Sequence, residues 1–441
     1  MKSKKVLPLF LSLIVLFLFV RCFKGDDGPD IRELIIPPPV VLDLNPVLVE
    51  EGKAIFRFDT FGDESFWSGA LKLDKAVLGE NNGGFGPGVS PNTALTVGLK
   101  VDIDALPQEI IDAIAAGNVD LDDPAVTLAL LSLDAVVGVK GNFDRDGNLE
   151  SMGITCALCH STVDDSFTQG IGKRLDGWPN RDLNVGAIIG ITDNAPIAEL
   201  LEVDVATLNT VLNAWEPGRF PAALLIDGKA TKPDGSIVAN LIPPAHGLQG
   251  LEKATYTGWG DISYWNRFVA VLEMGGQGNF VDPRLNDPVK FPIAVKRGAF
   301  NVMVDEDLVG PKLEALREYQ LSLLAPEPEA GSFNVKAAIR GKKIFKYKAK
   351  CATCHPAPVY SDDKLHSPED IGIDGFEANR SPTGKYRTPP LRGLFAKSKG
   401  GFYHDGRFED LDAVIDHYNN HFELHLNDRQ QRDLKEYLKA L

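Results

Sequence analysis

Apolar residues along the chain recur every three or four positions, the spacing that places them on one face of an α-helix. Segments that alternate with the period of a strand are few and short, so the predicted fold class is mainly α. The last helical segment begins at Asn427 and Asp428, which are suited to an N-cap. Helices are predicted over residues 106–115, 123–137, 197–214, 312–323, 335–347, 411–418 and 427–441.

The most apolar run of the sequence lies at its amino terminus. Lys2, Lys4 and Lys5 precede an apolar stretch over residues 6–20. A helix needs about 20 apolar residues to span a bilayer, so this shorter run predicts an export signal over residues 1–22.

Cys22 follows the apolar run and stands before the polar residues 24–27. This arrangement resembles a bacterial lipoprotein signal, in which the cysteine becomes the lipidated first residue of the mature chain. Such signals carry a small residue before the cysteine, whereas Arg21 stands there. The alternative is an ordinary or uncleaved export signal with an incidental cysteine. We expect lipidation at Cys22, because an odd cysteine in this place otherwise has no purpose.

Proline and glycine mark the predicted boundaries of the folded parts. Three consecutive prolines at 37–39 favour extended polyproline structure and predict a linker over residues 23–48. Pro326, Pro328 and Gly331 indicate a second boundary. The predicted division is an N-terminal domain over residues 49–328 and a C-terminal domain over residues 329–441.

A short internal repeat suggests that these two domains are related. Residues 52–56 read Gly-Lys-Ala-Ile-Phe and residues 341–345 read Gly-Lys-Lys-Ile-Phe, and each precedes a Cys-x-x-Cys-His cluster. In the second copy five residues separate the repeat from the cluster, whereas 99 residues do so in the first. We therefore expect two related units, the first carrying a large insertion over residues 57–155.

Composition and charge restrict the class of partner. The chain has 441 residues, 44% of them hydrophobic, which is enough for more than one core. Its 46 basic and 61 acidic residues give a net charge of −15, which argues against nucleic acid because phosphates would be repelled. An acidic surface permits docking to a basic redox protein, although many soluble proteins are acidic without such a role.

Four of the five cysteines fall in the two Cys-x-x-Cys-His clusters, so the sequence contains no disulfide framework. Two cysteines three positions apart can each bond a vinyl group on one porphyrin edge, and the adjacent histidine then reaches the iron. A zinc site would need ligands from pairs almost 200 residues apart, and a thioredoxin-like pair would need a βαβ setting. The sequence therefore predicts two covalent c-type haems, at Cys156, Cys159 and His160 and at Cys351, Cys354 and His355.

The sixth position on each iron decides between electron transfer and reaction with peroxide or oxygen. For the first haem the candidates are His246, Met274 and Met152, and none closely follows His160, so we expect an open or labile position. The second domain has no methionine, since the last one is Met303, so a His/Met haem cannot form within it. Its candidates are His366, His404, His417, Tyr418, His421 and His425.

The C-terminal sequence resembles the haem domain of the bacterial di-haem cytochrome c peroxidase and MauG superfamily. The resemblance rests on residues 386–392 (YRTPPLR), 402–406 (FYHDG) and the helix at 411–419, in that order, within the last 110 residues. Weaker counterparts in the first domain are residues 178–184, 259–261 and 273–275. Residues 57–155 have no counterpart in the compact peroxidases. The extra length is similar to larger di-haem oxidoreductases, which include an oxygenase that cleaves polyisoprene.

The resemblance implies roles for four further residues. Glu273 would be the distal carboxylate that moves a proton from the inner to the outer oxygen of peroxide. Trp259 would be the tryptophan between the haems, a relay for electrons. Tyr418 falls where peroxidases of this family place a methionine ligand, and MauG is similar in having tyrosine there. His404 is the competing ligand of the second haem.

The function implied is that of an exported di-haem peroxidase-like oxidoreductase, with the N-terminal haem as reaction site and the C-terminal haem as electron-transfer site. The cofactors implied are two haem c groups, and a calcium ion is allowed. Expected partners are peroxide or another small substrate and a small redox protein or quinol-linked donor or acceptor. Expected locations are the periplasm or, as a lipoprotein, the outer membrane of a Gram-negative-type bacterium. The alternatives are a membrane-tethered electron-transfer cytochrome and a di-haem oxygenase on an organic substrate.

Overall fold

The computed structural model describes residues 35–441, in which helices predominate. The predicted export signal and the lipidation of Cys22 lie outside these residues, as does the first part of the predicted linker. The α-helices are Pro46–Phe58, Leu73–Leu78, Pro91–Thr96, Gln108–Ala115, Pro124–Ser132, Ala157–His160, Val185–Gly190, Ala195–Leu201, Val205–Asn213, Leu224–Asp227, Ile262–Phe268, Pro292–Arg297, Leu313–Ser322, Val335–Lys343, Phe376–Asn379, Leu411–His421 and Asp428–Ala440.

The strands form small two-stranded sheets, which agrees with the prediction of a mainly α fold. The longest is the antiparallel hairpin Val139–Phe143 with Leu149–Ile154. It leads directly into the first Cys-x-x-Cys-His cluster. The other pairs are Val101–Asp102 with Ile171–Gly172, Ser161–Val163 with Arg174–Asp176, Arg219–Phe220 with Asn240–Leu241, Phe280–Val281 with Asn301–Val302, and Leu365–His366 with Tyr386–Arg387.

Most predicted helices are present, and the two that differ most have local causes. The helix predicted over 197–214 is divided, because Glu202 takes a left-handed conformation and Asp204 caps a new helix by accepting from Thr207 N. The helix predicted over 123–137 ends at Ser132. Asp134 has a positive φ of 53°, which turns the chain into the strand that begins at Val139.

The first copy of the repeat lies on helix Pro46–Phe58, which crosses helix Leu313–Ser322. Gly52 stands at the crossing, where a Cβ atom would lie 1.9 Å from the Ala315 carbonyl oxygen. Phe56 then packs edge-on against Tyr319, with ring centroids 5.4 Å apart. The glycine is therefore required by the close approach of the two backbones.

The second copy repeats this arrangement on helix Val335–Lys343, which crosses helix Asp428–Ala440. A Cβ atom on Gly341 would lie 2.0 Å from the Asp433 carbonyl oxygen, and Phe345 packs edge-on against Tyr437 at 5.2 Å. The five-residue repeat thus corresponds to two equivalent helix crossings. We call residues 46–322 the first unit and residues 335–441 the second unit.

Each unit has its own buried cluster of apolar side chains. Residues 57–155 contribute to the first of these, for example through Phe61 and Leu71, which are almost fully buried. Ile35 and Ile36 belong to the cluster of the second unit, so this part of the predicted linker over residues 23–48 packs on the folded body. Between the units, Arg380 forms a fully buried ion pair with Asp227, at 2.7 Å.

No helix among residues 35–441 combines the length and apolar character needed to cross a membrane.

Candidate haem sites

The first Cys-x-x-Cys-His cluster forms the short helix Ala157–His160 between two strands. The His160 ring is partly buried, and its Nδ1 donates a hydrogen bond to the Pro243 carbonyl oxygen at 3.0 Å. A carbonyl can only accept, so the proton is on Nδ1 and Nε2 has a free lone pair. Burial lowers the pKa of His160 to about 4, which keeps the imidazole neutral. This state suits an iron ligand.

The second cluster has the same arrangement on a different local backbone. Cys351–Thr353 form a 3₁₀ turn, and His355 Nδ1 donates to the Tyr360 carbonyl oxygen at 2.9 Å. Burial also lowers the pKa of His355. The two predicted proximal histidines are therefore oriented in the same way, each by one main-chain carbonyl.

The four cluster cysteines are free thiols in the structure. Burial raises the pKa of Cys156, Cys159 and Cys351 to about 12, so these thiols are protonated rather than poised as thiolates. Within residues 35–441, one group of three candidate metal ligands lies close together, and it is Cys354, Asp362 and His366. That group contains a single thiol, so it does not support the zinc alternative, which required both cysteine pairs.

Glu273 lies beside the first cluster. It ends the π-helical turn Val269–Glu273, and its charge raises the pKa of the Cys159 thiol. Its Oε1 atom is buried and has no hydrogen-bond partner among the described residues. Burial raises the pKa of Glu273 to about 8, and Arg297 opposes the shift. The structure thus brings an acid with one buried, unpaired oxygen atom to the predicted reaction site.

Trp259 is buried in an aromatic cluster next to the second unit. Its ring lies 5.1 Å from that of Trp265, and the Arg284 guanidinium lies 5.4 Å from its centroid. A side chain on the preceding Gly258 would meet Arg387 of the second unit at 2.9 Å. The residue predicted as a relay therefore lies in the first unit, one position from the contact with the second.

The two predicted ligands of the second haem lie in different places. Tyr418 is on helix Leu411–His421, and the pKa of its phenol is raised by burial and by the thiols of Cys351 and Cys354. His404 instead stacks on Tyr386 at 5.2 Å and faces Tyr256 of the first unit at 6.3 Å. Tyr418 is thus the candidate whose phenol the second attachment segment affects, whereas His404 lies at the interface between the units.

The remaining predicted ligands have varied surroundings. Met152 and Met274 are buried, and both lie close in sequence to first-site residues, Cys156 and Glu273 respectively. His417 Nε2 donates to the Ile371 carbonyl oxygen at 2.8 Å. His246 is 2% exposed, and neither of its ring nitrogens has a partner among the described residues.

Sequence reasoning missed a second buried acid at the first site. Asp63 is fully buried, and its carboxylate accepts from Ile154 N at 3.3 Å. Burial raises its pKa to about 9, and its charge in turn raises the pKa of Cys156. Asp63 lies 93 positions before Cys156 in a loop without a recognisable motif, so no signal in the sequence points to it.

Comparison with known proteins identifies related chains. The chain is 29% identical to the methylamine utilization protein MauG of Methylorubrum extorquens over 32% of its length and 47% of MauG. It is 29% identical to the cytochrome-c peroxidase IdrP2 of a Pseudomonas species over 70% of its length and 80% of that protein. It is also 29% identical to the hydrazine synthase subunit gamma of Kuenenia stuttgartiensis, over 32% of its length and 52% of that subunit.

The matches to MauG and to the gamma subunit therefore span about half of those proteins. No protein-family model matches the sequence.

Proposed function

Because the chain is similar to MauG and to a bacterial cytochrome-c peroxidase, we propose that it belongs to their superfamily and is an exported di-haem c-type cytochrome that acts as a peroxidase-like oxidoreductase. The N-terminal haem is the reaction site, and the C-terminal haem transfers electrons. The observation that carries this assignment is the buried, unpaired Oε1 atom of Glu273, whose charge acts on Cys159 in the first unit.

The residues present fit two haem c groups. Cys156 and Cys159, and likewise Cys351 and Cys354, would form the thioether bonds. His160 and His355 each keep a free Nε2 for iron, because Nδ1 donates to a carbonyl oxygen. Haem iron, when bound, supplies the electrons that, with two protons, convert one peroxide into two water molecules.

Glu273 moves a proton during this reaction. As a carboxylate it takes the proton from the inner oxygen of peroxide, and as a carboxylic acid it gives that proton to the outer oxygen, which leaves as water. A group that must both accept and donate works best when its pKa lies near the working pH. Burial raises the pKa of Glu273 to about 8, close to neutral solution. Trp259 lies near the contact with the second unit and relays electrons between the two sites.

Tyr418 is the sixth ligand of the second haem in this proposal. Its position beside the Cys351 and Cys354 thiols supports this role, and the interface position of His404 makes that residue the weaker candidate. A tyrosinate ligand stabilises oxidised iron and lowers the reduction potential. The second unit would then release electrons toward the first.

The partners follow from this arrangement and from the sequence. We propose peroxide as the oxidant and a small redox protein or a quinol-linked carrier as the electron partner. The chain would work in the periplasm, tethered to a membrane through lipid on Cys22. A bound calcium ion remains a prediction from the sequence.

Replacement of Glu273 by Gln tests the proposal. Because glutamine cannot shuttle a proton, we expect peroxide reduction to slow by about a hundredfold or more. In the parent protein the rate should rise with pH and level off above about 8, since the raised pKa leaves the carboxyl group protonated below that value. The variant should lose this dependence. Glu109→Gln, at an exposed position, is the matched control and should leave rate and profile unchanged. An unchanged rate in Glu273→Gln would remove this residue from the mechanism.

A further inference from the structure

Three basic side chains gather where the two units meet. Arg181 follows the first attachment segment, Arg387 ends strand Tyr386–Arg387, and Lys397 ends the 3₁₀ turn Leu394–Lys397. Burial, and after it the charges of Arg387 and Arg181, lower the pKa of Lys397 to about 7. Their mutual repulsion requires compensation.

Direct pairing with carboxylates of the described residues does not supply this compensation, although the charge of Asp363 opposes the lowering of the Arg387 pKa by burial. Within residues 35–441, none of the three cations forms an ion pair with a carboxylate. Each donates to main-chain carbonyl oxygens, and Arg181 also hydrogen-bonds the side chain of Tyr256. Arg387 donates to Thr255 O at 2.8 Å and to Lys253 O at 2.9 Å. Lys397 Nζ donates to Pro390 O at 2.9 Å, and Arg181 Nη1 donates to Lys399 O at 3.2 Å.

The nearest acids are committed to other partners. Asp405 is held by Arg407 at 2.7 Å. Asp363 accepts from the main-chain nitrogens of Glu252 and Lys253. Neither acid is therefore free to pair directly with the cluster.

Buried polar atoms without hydrogen-bond partners lie beside these three cations. The Nε of Arg181 is buried without a partner, and Arg181 is 7% exposed. Both ring nitrogens of His246 lack partners, and the charge of Lys397 acts on this ring. A side chain on Gly393 would lie 3.2 Å from the His246 ring, so the imidazole is packed against the second unit. Buried polar groups are rarely left unpaired in this number, and unpaired buried charge is costly.

We propose that Arg181, Arg387, Lys397 and His246 together bind haem propionates, the carboxylates on the porphyrin edge opposite the thioether bonds. This inference rests on the proposed di-haem function. Its location supports it, because short hydrogen-bonded segments connect the cluster to both attachment sites. Asn180 N, next to Arg181, donates to Cys159 O at 2.8 Å. On the other side, Asp362 N donates to Cys354 O at 2.8 Å, and Thr388 N, next to Arg387, donates to Lys364 O at 3.0 Å.

The cluster would therefore neutralise propionates at the boundary between the units. Cations beside a haem favour its reduced, less positive form, so they raise its midpoint potential. They would also join the two units through a shared charged contact.

Lys397→Met in the full-length holoprotein tests this inference, with both midpoint potentials measured by redox titration. We expect the potential of at least one haem to fall while two haems stay attached. Lys399→Met is the matched control: it removes an equal charge two positions away, on an exposed side chain that pairs with Asp182, and should leave both potentials unchanged. Lys397→Arg, which keeps the charge, should restore the potentials. If Lys397→Met fails to fold, Arg181→Gln should give the same fall.

Two outcomes would overturn the inference without touching the proposed function. One is a Lys397→Met or Arg181→Gln protein with two haems and unchanged potentials. The other is a parent protein whose potentials change when inorganic phosphate is added to a zwitterionic buffer, with the change absent in Lys397→Met. That result would assign the cluster to an exchangeable anion. A protein without haem would instead contradict the proposed function itself.

Discussion

The two units share one helix crossing and one kind of histidine contact, and they differ in the length of the chain between the two helices. In the first unit the crossing joins Pro46–Phe58 to Leu313–Ser322, and in the second it joins Val335–Lys343 to Asp428–Ala440. A glycine and a Phe–Tyr edge contact stand at both crossings. The first unit adds a long chain segment before its cysteines, and Asp63 comes from that segment. A longer chain segment between two equivalent helices can thus change a site without changing the helix crossing that holds it.

The side chains beside the two Cys-x-x-Cys-His clusters also differ between the units. The first cluster has buried, protonatable carboxyl groups beside it, from Glu273 and Asp63. The second has the phenol of Tyr418. Both proximal histidines are oriented alike by a main-chain carbonyl oxygen, so the difference between the two sites lies in these carboxyl and phenol groups. We interpret the first unit as the site of proton-coupled chemistry and the second unit as the electron-transfer site.

Of the substitutions that test this difference between the units, removal of the attachment cysteines should have the largest effect. Cys156→Ala with Cys159→Ala should leave one haem and abolish peroxide reduction, because the reaction site is lost. Cys351→Ala with Cys354→Ala should also leave one haem but retain peroxide binding at the first site. Mass spectrometry of the intact protein counts the haems, and Cys22→Ala is the control that should keep both. Loss of no haem in either double variant would contradict covalent attachment.

Tyr418→Phe should have the next largest effect, and it should be confined to the second unit. Phenylalanine cannot ligate iron, so the spectrum of the second haem should change and its midpoint potential should rise. Tyr347→Phe, an exposed tyrosine of the same unit, is the control. A spectrum that changes in His404→Ala but not in Tyr418→Phe would exchange the roles of these two residues.

The smallest expected effect concerns the shared crossing. Gly52→Ala and Gly341→Ala would each place a methyl group about 2 Å from a main-chain oxygen, so each should reduce the free energy of unfolding by about 1–3 kcal/mol. Gly190→Ala, in a helix with open space around its Cβ, should be neutral or slightly stabilising. Thermal unfolding measures the change in stability of each of the three variants. If only one crossing glycine is sensitive, the two crossings are not equivalent.

Local features of this protein were readable from the sequence, and long-range ones were not. The Cys-x-x-Cys-His clusters and the capped last helix are set by neighbouring residues, and apolar spacing predicted most helices. The division of helix 197–214 was missed because the periodicity continues through Glu202, where the backbone reverses. Asp63 and the cation cluster were not identified as parts of a site, and His246 was predicted only as a possible ligand of the first haem, because tertiary contacts between distant segments create these groupings.

The most direct test of the central claim is the addition of cyanide and peroxide to the oxidised full-length protein, followed by absorption and electron paramagnetic resonance spectroscopy. The account predicts one haem with a high-spin component that responds to both ligands, and one haem that responds to neither. The responsive signal should be absent from the Cys156→Ala/Cys159→Ala variant. Two low-spin haems that ignore both ligands in every redox state would contradict the assignment of the first unit as a reaction site.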